Sequence, residues 1–121
     1  MIAVIDAQGE LARRLQRLLP AQDIVHMEPG QGFPDGPVLL VVYRQERWDP
    51  NWVPASRVFP ATRHVPVLLI SRRAPADPLA TWFDGIDDWL PVDAEDARLL
   101  AHLQRLLPPP QEERPSSAAE A

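Results

Sequence analysis

The sequence predicts a single α/β domain built on an open parallel sheet with helices on both faces, and three observations carry that prediction. Short, continuously apolar runs recur at residues 2–5, 38–42 and 65–70, as expected of strands buried on both faces rather than of strands with one wet face. Amphipathic stretches of helical period follow the first of these runs and close the apolar part of the chain, at residues 10–19 and 96–107. Gly, Pro and Asp clusters separate the elements, and strands alternating with helices favour a parallel sheet over an antiparallel one.

Residues 2–5, Ile-Ala-Val-Ile, form the first strand, and Ala7-Gln8-Gly9 turns the chain. A helix is expected over residues 10–19, with Leu11, Leu15, Leu18 and Leu19 on one face, Arg13, Arg14 and Arg17 on the other, and Pro20 ending it. Residues 23–27 supply the second strand. The following Pro29-Gly30-Gln31-Gly32-Phe33-Pro34-Asp35-Gly36-Pro37 cannot hold a helix, so the crossover to the third strand, residues 38–42, is a loop. Prolines 50, 54 and 60 leave room for one short or irregular helix around residues 55–62. Residues 65–71 form the fourth strand, residues 77–84 a short helix with Pro78 near its first turn, and residues 87–90 the fifth strand. Asp93 suits the N-cap of the last helix, whose dipole is matched by Glu95 and Asp96 at its start and Arg105 near its end. Leu99, Leu100, Leu103, Leu106 and Leu107 form its buried stripe. The domain thus spans residues 1–107, and the Pro-rich, apolar-poor residues 108–121 read as a disordered tail or linker.

Composition narrows the chemistry. With no cysteine, the chain has neither disulfides nor thiolate catalysis, and His26, His64 and His102 are too scattered to suggest a metal site; surface or boundary positions are expected for them. A formal charge of -5 disfavours direct contact with nucleic acid, which needs clustered cations. No apolar stretch approaches the roughly 20 residues that span a bilayer, and no basic leader precedes the first strand, so a cytoplasmic protein without membrane contact is expected. No nucleophile and base stand at a spacing that suggests an enzyme, and no cofactor motif is present.

Three segments together resemble a known family. Val65-Pro66-Val67-Leu68-Leu69-Ile70-Ser71, then Gly85-Ile86-Asp87-Asp88-Trp89-Leu90-Pro91-Val92, then Asp96-Ala97-Arg98-Leu99-Leu100-Ala101-His102-Leu103 are similar to the receiver domain of two-component response regulators. That pattern has a strand ending in Thr or Ser, then Gly-Ala-Asp-Asp-Tyr-Leu-x-Lys-Pro, then an amphipathic helix. Residues 2–6 and 38–42 resemble its first and third strands. The resemblance implies a flavodoxin-like, receiver-like sheet of five parallel strands in the order 2-1-3-4-5, with the functional crevice at the carboxyl ends of strands one and three. The family's helix between strands two and three is missing from this sequence.

Residue by residue, the resemblance implies a degenerate receiver. Working members bind Mg2+ with acidic residues after the first strand, phosphorylate an Asp ending the third, and hold the phosphoryl oxygens with a Thr or Ser and a Lys. Hard Mg2+ needs several oxygen ligands, and developing phosphoryl charge needs fixed cations. Here Asp6 matches the first acidic position, Ala7 occupies the second, Tyr43 the phosphoacceptor, Ser71 the hydroxyl and Val92 the lysine; the chain contains twelve arginines and no lysine at all. Glu46 or Asp49 as a displaced acceptor would not end an apolar strand. Phosphorylation by the family mechanism is therefore not expected. Asp6 is read as a strand-end carboxylate satisfied by backbone N–H groups rather than as a metal ligand, and Ser71 as a hydrogen-bonded turn residue. Ser71 and Trp89 stand at the pair that moves together in active members, here expected to hold one fixed state.

The expected function is a pseudo-receiver acting as a phosphorylation-independent protein-interaction or dimerisation module in bacterial signal transduction or transcription control, with a protein partner or a second copy, either free-standing or linked to an output domain in a longer protein. Trp82, Asp84, Asp87, Asp88, Trp89 and Arg98 would form one contact face, since aromatic and arginine anchors dominate interfaces. Phe33, Trp48 and Trp52 would fill, or leave apolar, the sheet face exposed by the missing helix. The alternative is a small-molecule sensor whose crevice is lined by Asp6, Tyr43, Ser71 and residues 44–52.

Overall fold

In the computed structural model, which describes residues 1–33, 35–46, 54–72 and 86–108, the elements are β1 (Ile2–Ile5), α1 (Glu10–Leu18), β2 (Ile24–Met27), β3 (Leu40–Gln45), a 3-10 turn at Ala55–Arg57, β4 (Val67–Ser71), β5 (Asp88–Pro91) and α2 (Asp96–Leu106). All five strands are parallel, in the order β2-β1-β3-β4-β5. The apolar runs explain who sits in the middle. β1, with no polar side chain, is hydrogen-bonded on both edges and fully buried, whereas β2, with His26 facing solvent, lies at the edge.

Strand alternation divides the core in two. Ile2, Val4, Leu40, Val42, Leu68, Ile70 and Leu90 face Leu11, Ala12 and Leu15 of α1 and Leu99 and Leu103 of α2. Ala3, Ile5, Val41, Tyr43, Val67 and Leu69 form the opposite face with Met27 and Ile86, and Phe33, Val38, Val65 and Trp89 pack against them. Both α-helices of the described residues therefore cover one face. The helix expected over residues 77–84 lies outside the described residues, as does the predicted tail from residue 109 onward. Between β2 and β3 the described residues contain no helix, and Phe33 closes part of that gap.

β4 begins at Val67 rather than residue 65, β2 at Ile24 rather than 23, and α1 ends at Leu18 rather than 19; three further boundaries differ with a visible cause. β3 is displaced to Leu40–Gln45 from the expected 38–42, because β4 continues the ladder through Arg44↔Ile70 and Gln45↔Ser71 and holds two polar residues in strand geometry. β5 likewise runs Asp88–Pro91, one residue later than expected, since Asp87 serves the loop beneath it. The N-cap of α2 is Glu95, in extended geometry and without a side-chain cap bond, rather than Asp93. A turn closed by Ala94 N–H to Pro91 C=O delays the helix by two residues and leaves Asp93 exposed. At α1 the N-cap is Gly9 in left-handed conformation, φ 78°, which a side chain would strain and where a Cβ would meet Arg13 and His26 at 3.3 and 3.5 Å. No helix of the described residues is long and apolar enough to cross a membrane.

Candidate functional site

The crevice at the carboxyl ends of β1 and β3 is set by their register, which places Ile5 beside Tyr43 and brings Asp6 over Arg44. Asp6 is 1% exposed. Its Oδ2 accepts the Leu11 N–H at 2.8 Å and its Oδ1 the Gln8 N–H at 3.2 Å, so the carboxylate closes the turn into α1 and satisfies, at Leu11, an amide that the helix itself leaves open. The Arg44 guanidinium stands 3.8 Å from Oδ1 and 3.4 Å from Glu46, and the backbone C=O of Asp6 contacts His26 Nε2 at 2.6 Å. Ala7, exposed, brings no second carboxylate. Among the described residues no group of three or more His, Asp or Glu side chains is placed to hold a metal ion.

Tyr43 is buried inside β3 rather than at its end, and its phenolic oxygen accepts the Ser56 N–H at 3.0 Å, tying the 3-10 turn to the sheet. Burial pushes the phenol above its ordinary 10.0, against the opposing pull of the Ser56 and Ala55 hydrogen bonds and the Arg57 charge. Thr62 Oγ1 donates to Ser56 C=O and closes the same turn.

Ser71 is the buried last residue of β4, not a turn residue, and its Oγ accepts the Trp89 indole N–H at 2.7 Å. The two positions named from sequence are thus joined directly. Val92 packs partly buried on the α1 and α2 side of the core, in a pocket of about 130 Å3 that it shares with Leu11, Arg14, Arg44 and Ile70. An apolar side chain there offers no donor to an anion.

The candidate contact face is partly structural. Asp87 Oδ2 accepts from Arg57 at 2.6 Å and from the Val67 N–H at 2.7 Å, which fixes the loop before β4. Asp88 pairs with His102 and Arg105 of α2, and Arg14 bridges α1 to Asp96 and the Ala94 C=O. Trp89 is half-buried and Arg98 exposed. Trp48, Trp52, Trp82 and Asp84 lie outside the described residues. His26 and His64 are exposed and His102 half-buried, as expected.

Two participants escaped the sequence reading. Arg44 was legible only as part of a loop, yet strand alternation puts it on the Val42 side, toward Asp6. The Asp88 pairing with His102 and Arg105 needed the distance between β5 and α2, which no spacing along the chain reveals.

No family model matches the chain, and no curated protein matches it. Solved structures do. Chemotaxis protein CheY4 of Vibrio cholerae aligns at a TM-score of 0.64 and 14% identity over 88% of this chain and 97% of its own. A response regulator CheY-like protein from Mesorhizobium loti aligns at 0.65 and 16% identity, over 86% and 95%. The signal receiver domain of a histidine kinase from Syntrophus aciditrophicus aligns at 0.60 and 20% identity, over 88% of each chain. Such identities speak to architecture alone, and with the strand order they establish that this chain has the CheY-like receiver fold.

Proposed function

We propose that the chain is a non-phosphorylatable pseudo-receiver, a phosphorylation-independent interaction or dimerisation module serving bacterial signal transduction or transcription control, and not an enzyme. The observation that carries this reading is the way Asp6 is used. Its two oxygens are taken by the Leu11 and Gln8 amides, with Arg44 standing where a cation would otherwise have to be recruited. Beside it, a buried tyrosine replaces the nucleophilic carboxylate, so phosphoryl acceptance has no group to perform it, and a valine replaces the ammonium, leaving as nearby cations Arg44, drawn to Asp6 and Glu46, and Arg14, drawn to Asp96. The Ser71 and Trp89 hydrogen bond supports a single resting state.

Incubation of the protein with a small phosphodonor and Mg2+, followed by intact mass measurement, tests the chemical half. No added phosphoryl group is expected, and one added at a defined residue would sink the proposal. Capture from a lysate of the source organism tests the other half, using wild type, the Trp82→Ala/Trp89→Ala variant and Arg98→Glu, each checked for folding. A specific partner, or a dimer, lost in the variants supports the module. A monomer whose captured proteins are identical in wild type and variants argues against this face.

A further inference from the structure

On the side of the sheet that faces α1, a cavity of about 130 Å3 is lined by the apolar Leu11, Ile70 and Val92 and by the charged Glu10, Arg14 and Arg44. Its two guanidiniums come from elements far apart in the chain, Arg14 from α1 and Arg44 from β3. Both side chains are largely covered, Arg14 at 23% exposure and Arg44 at 19%. A cation withdrawn from water has to recover its solvation from hydrogen-bond acceptors, so covered guanidiniums are normally well paired.

Arg44 is not paired in that way. A guanidinium carries five N–H donors, yet among the described residues the Arg44 side chain has only ion pairs of 3.8 Å to Asp6 Oδ1 and 3.4 Å to Glu46 Oε2. Both are longer than the roughly 2.7–2.9 Å of a charge-assisted hydrogen bond. Other bonds hold the two carboxylates where they are. Asp6 is fixed by the Leu11 and Gln8 amides, and Glu46 Oε1 accepts from the exposed Arg72 at 3.0 Å. Arg14 commits its Nε to Asp96 and its Nη2 to the Ala94 C=O, which leaves its Nη1 protons without an acceptor among the described residues. Two cations with unused donors beside an apolar wall select an anion, since charge-assisted bonds gain strength where water is scarce. The volume sets the size of that anion: it is well below the roughly 300 Å3 at which sites for larger organic ligands begin. Glu10 alone of the lining opposes it, and Glu10 is exposed, so its carboxylate can turn to water.

We propose that this cavity reversibly binds a compact oxyanion of the phosphate class between Arg44 and Arg14, either as free inorganic phosphate or as the phosphate group of a small phosphomonoester. The binding forms no covalent bond, and it does not rest on the interaction reading, since it uses none of the residues of that contact face.

Titration of the full chain with inorganic phosphate and with methyl phosphate, at constant ionic strength and with chloride as the control, tests it by NMR of the arginine Nε–H groups and backbone amides. Saturable shifts are expected at the Arg14 and Arg44 Nε–H groups and at the amides of residues 10, 11, 44 and 92, with none from chloride. The tighter of the two probes identifies the free ion or the ester as the form the cavity takes. Arg44→Gln should weaken binding about tenfold or more, as loss of a charged donor to a partly buried anion warrants. Glu10→Gln should tighten it about twofold to threefold by removing the like charge. Arg63→Gln, an exposed arginine in the turn before β4, should leave it unchanged. Shifts that grow without saturation, as with chloride, overturn the site. So does a folded Arg44→Gln protein that binds phosphate as tightly as wild type, or an equal loss of binding in Arg63→Gln.

Discussion

Asp6→Ala separates a helix-capping carboxylate from a metal ligand, because the two roles respond to the substitution with opposite signs. The carboxylate closes the N-terminus of α1 through Leu11 N–H and Gln8 N–H. Losing an N-terminal side-chain acceptor costs about 0.5–2 kcal/mol. Seen at the buried Leu11 amide, which is left without a partner, the same loss is about 1–3 kcal/mol, reduced where water reaches the exposed Gln8 end, so the two figures overlap rather than add. The Arg44 contact, at 3.8 Å, adds little more than the roughly 0–1 kcal/mol of a loose pair. A destabilisation of about 2–3 kcal/mol follows, equivalent for a domain of this size to a fall in Tm of about 8–12 °C. Asp6→Asn keeps one acceptor and should fall between. Urea and thermal unfolding of the three proteins measure this directly, with and without about 10 mM Mg2+, which stabilises a protein that binds it by mass action. A carboxylate placed for a metal behaves differently: neutralising it in the empty protein relieves repulsion, and Mg2+ raises Tm. An Asp6→Ala protein as stable as wild type, or a wild type stabilised by Mg2+, would refute the capping argument.

Other substitutions report on the neighbouring bonds. Ser71→Ala and Trp89→Phe should each cost about 1 kcal/mol and the double variant clearly less than their sum, measured by a urea double-mutant cycle, because both remove the same indole hydrogen bond. Tyr43→Phe leaves the buried Ser56 N–H without its acceptor and should cost about 1–3 kcal/mol. Because burial raises the Tyr43 phenol above 10.0, the unfolded chain loses that proton first; its contribution is complete below pH 10 and declines as pH rises further, a slope in alkaline unfolding curves that Tyr43→Phe should remove. Arg14 holds the Asp96 carboxyl below its ordinary 3.8, so that contribution is present above that pH and lost as pH falls below it; Asp96→Asn should flatten this part of the acid limb, and salt should do the same.

The sheet was readable in the sequence wherever burial on both faces left no polar residue, as in residues 2–5 and 67–70, because periodicity and burial then carry the same information. Strand ends were not. Arg44 and Gln45 look like loop residues, and only the ladder to β4 keeps them in β3, a tertiary effect that overrides local preference. Asp93 looked a better cap than Glu95 for a similar reason: the cap is decided by where the Pro91 to Ala94 turn lets the helix begin. The places of Asp6, Tyr43, Ser71 and Val92 at the carboxyl ends of the strands were readable, because each lies at or next to the end of a run whose position the pattern fixes. Arg44 and the pairing of Asp88 with His102 and Arg105 were hidden, since they join elements far apart in the chain.

The bonds around the crevice bear on whether the domain can switch. A ligand or a covalent group moves a conformational equilibrium only by the difference in its interaction with the two states. At one end of the crevice, Asp6 is bound to two amides of the turn into α1, and moving it would expose both. At the other, Ser71 is bound to Trp89, whose backbone N–H is held by Asp88, and Asp88 is anchored in turn to α2 through His102 and Arg105. Rotating the Trp89 indole away would leave the buried Ser71 hydroxyl without that donor, at a cost of about 1–3 kcal/mol. The pair therefore works as a tether between β4 and β5. A regulator of such a domain that acts without breaking these bonds would have to act through what binds its surface, and a bound partner that left the Trp89 indole resonance unmoved would place that control away from the Ser71 and Trp89 pair.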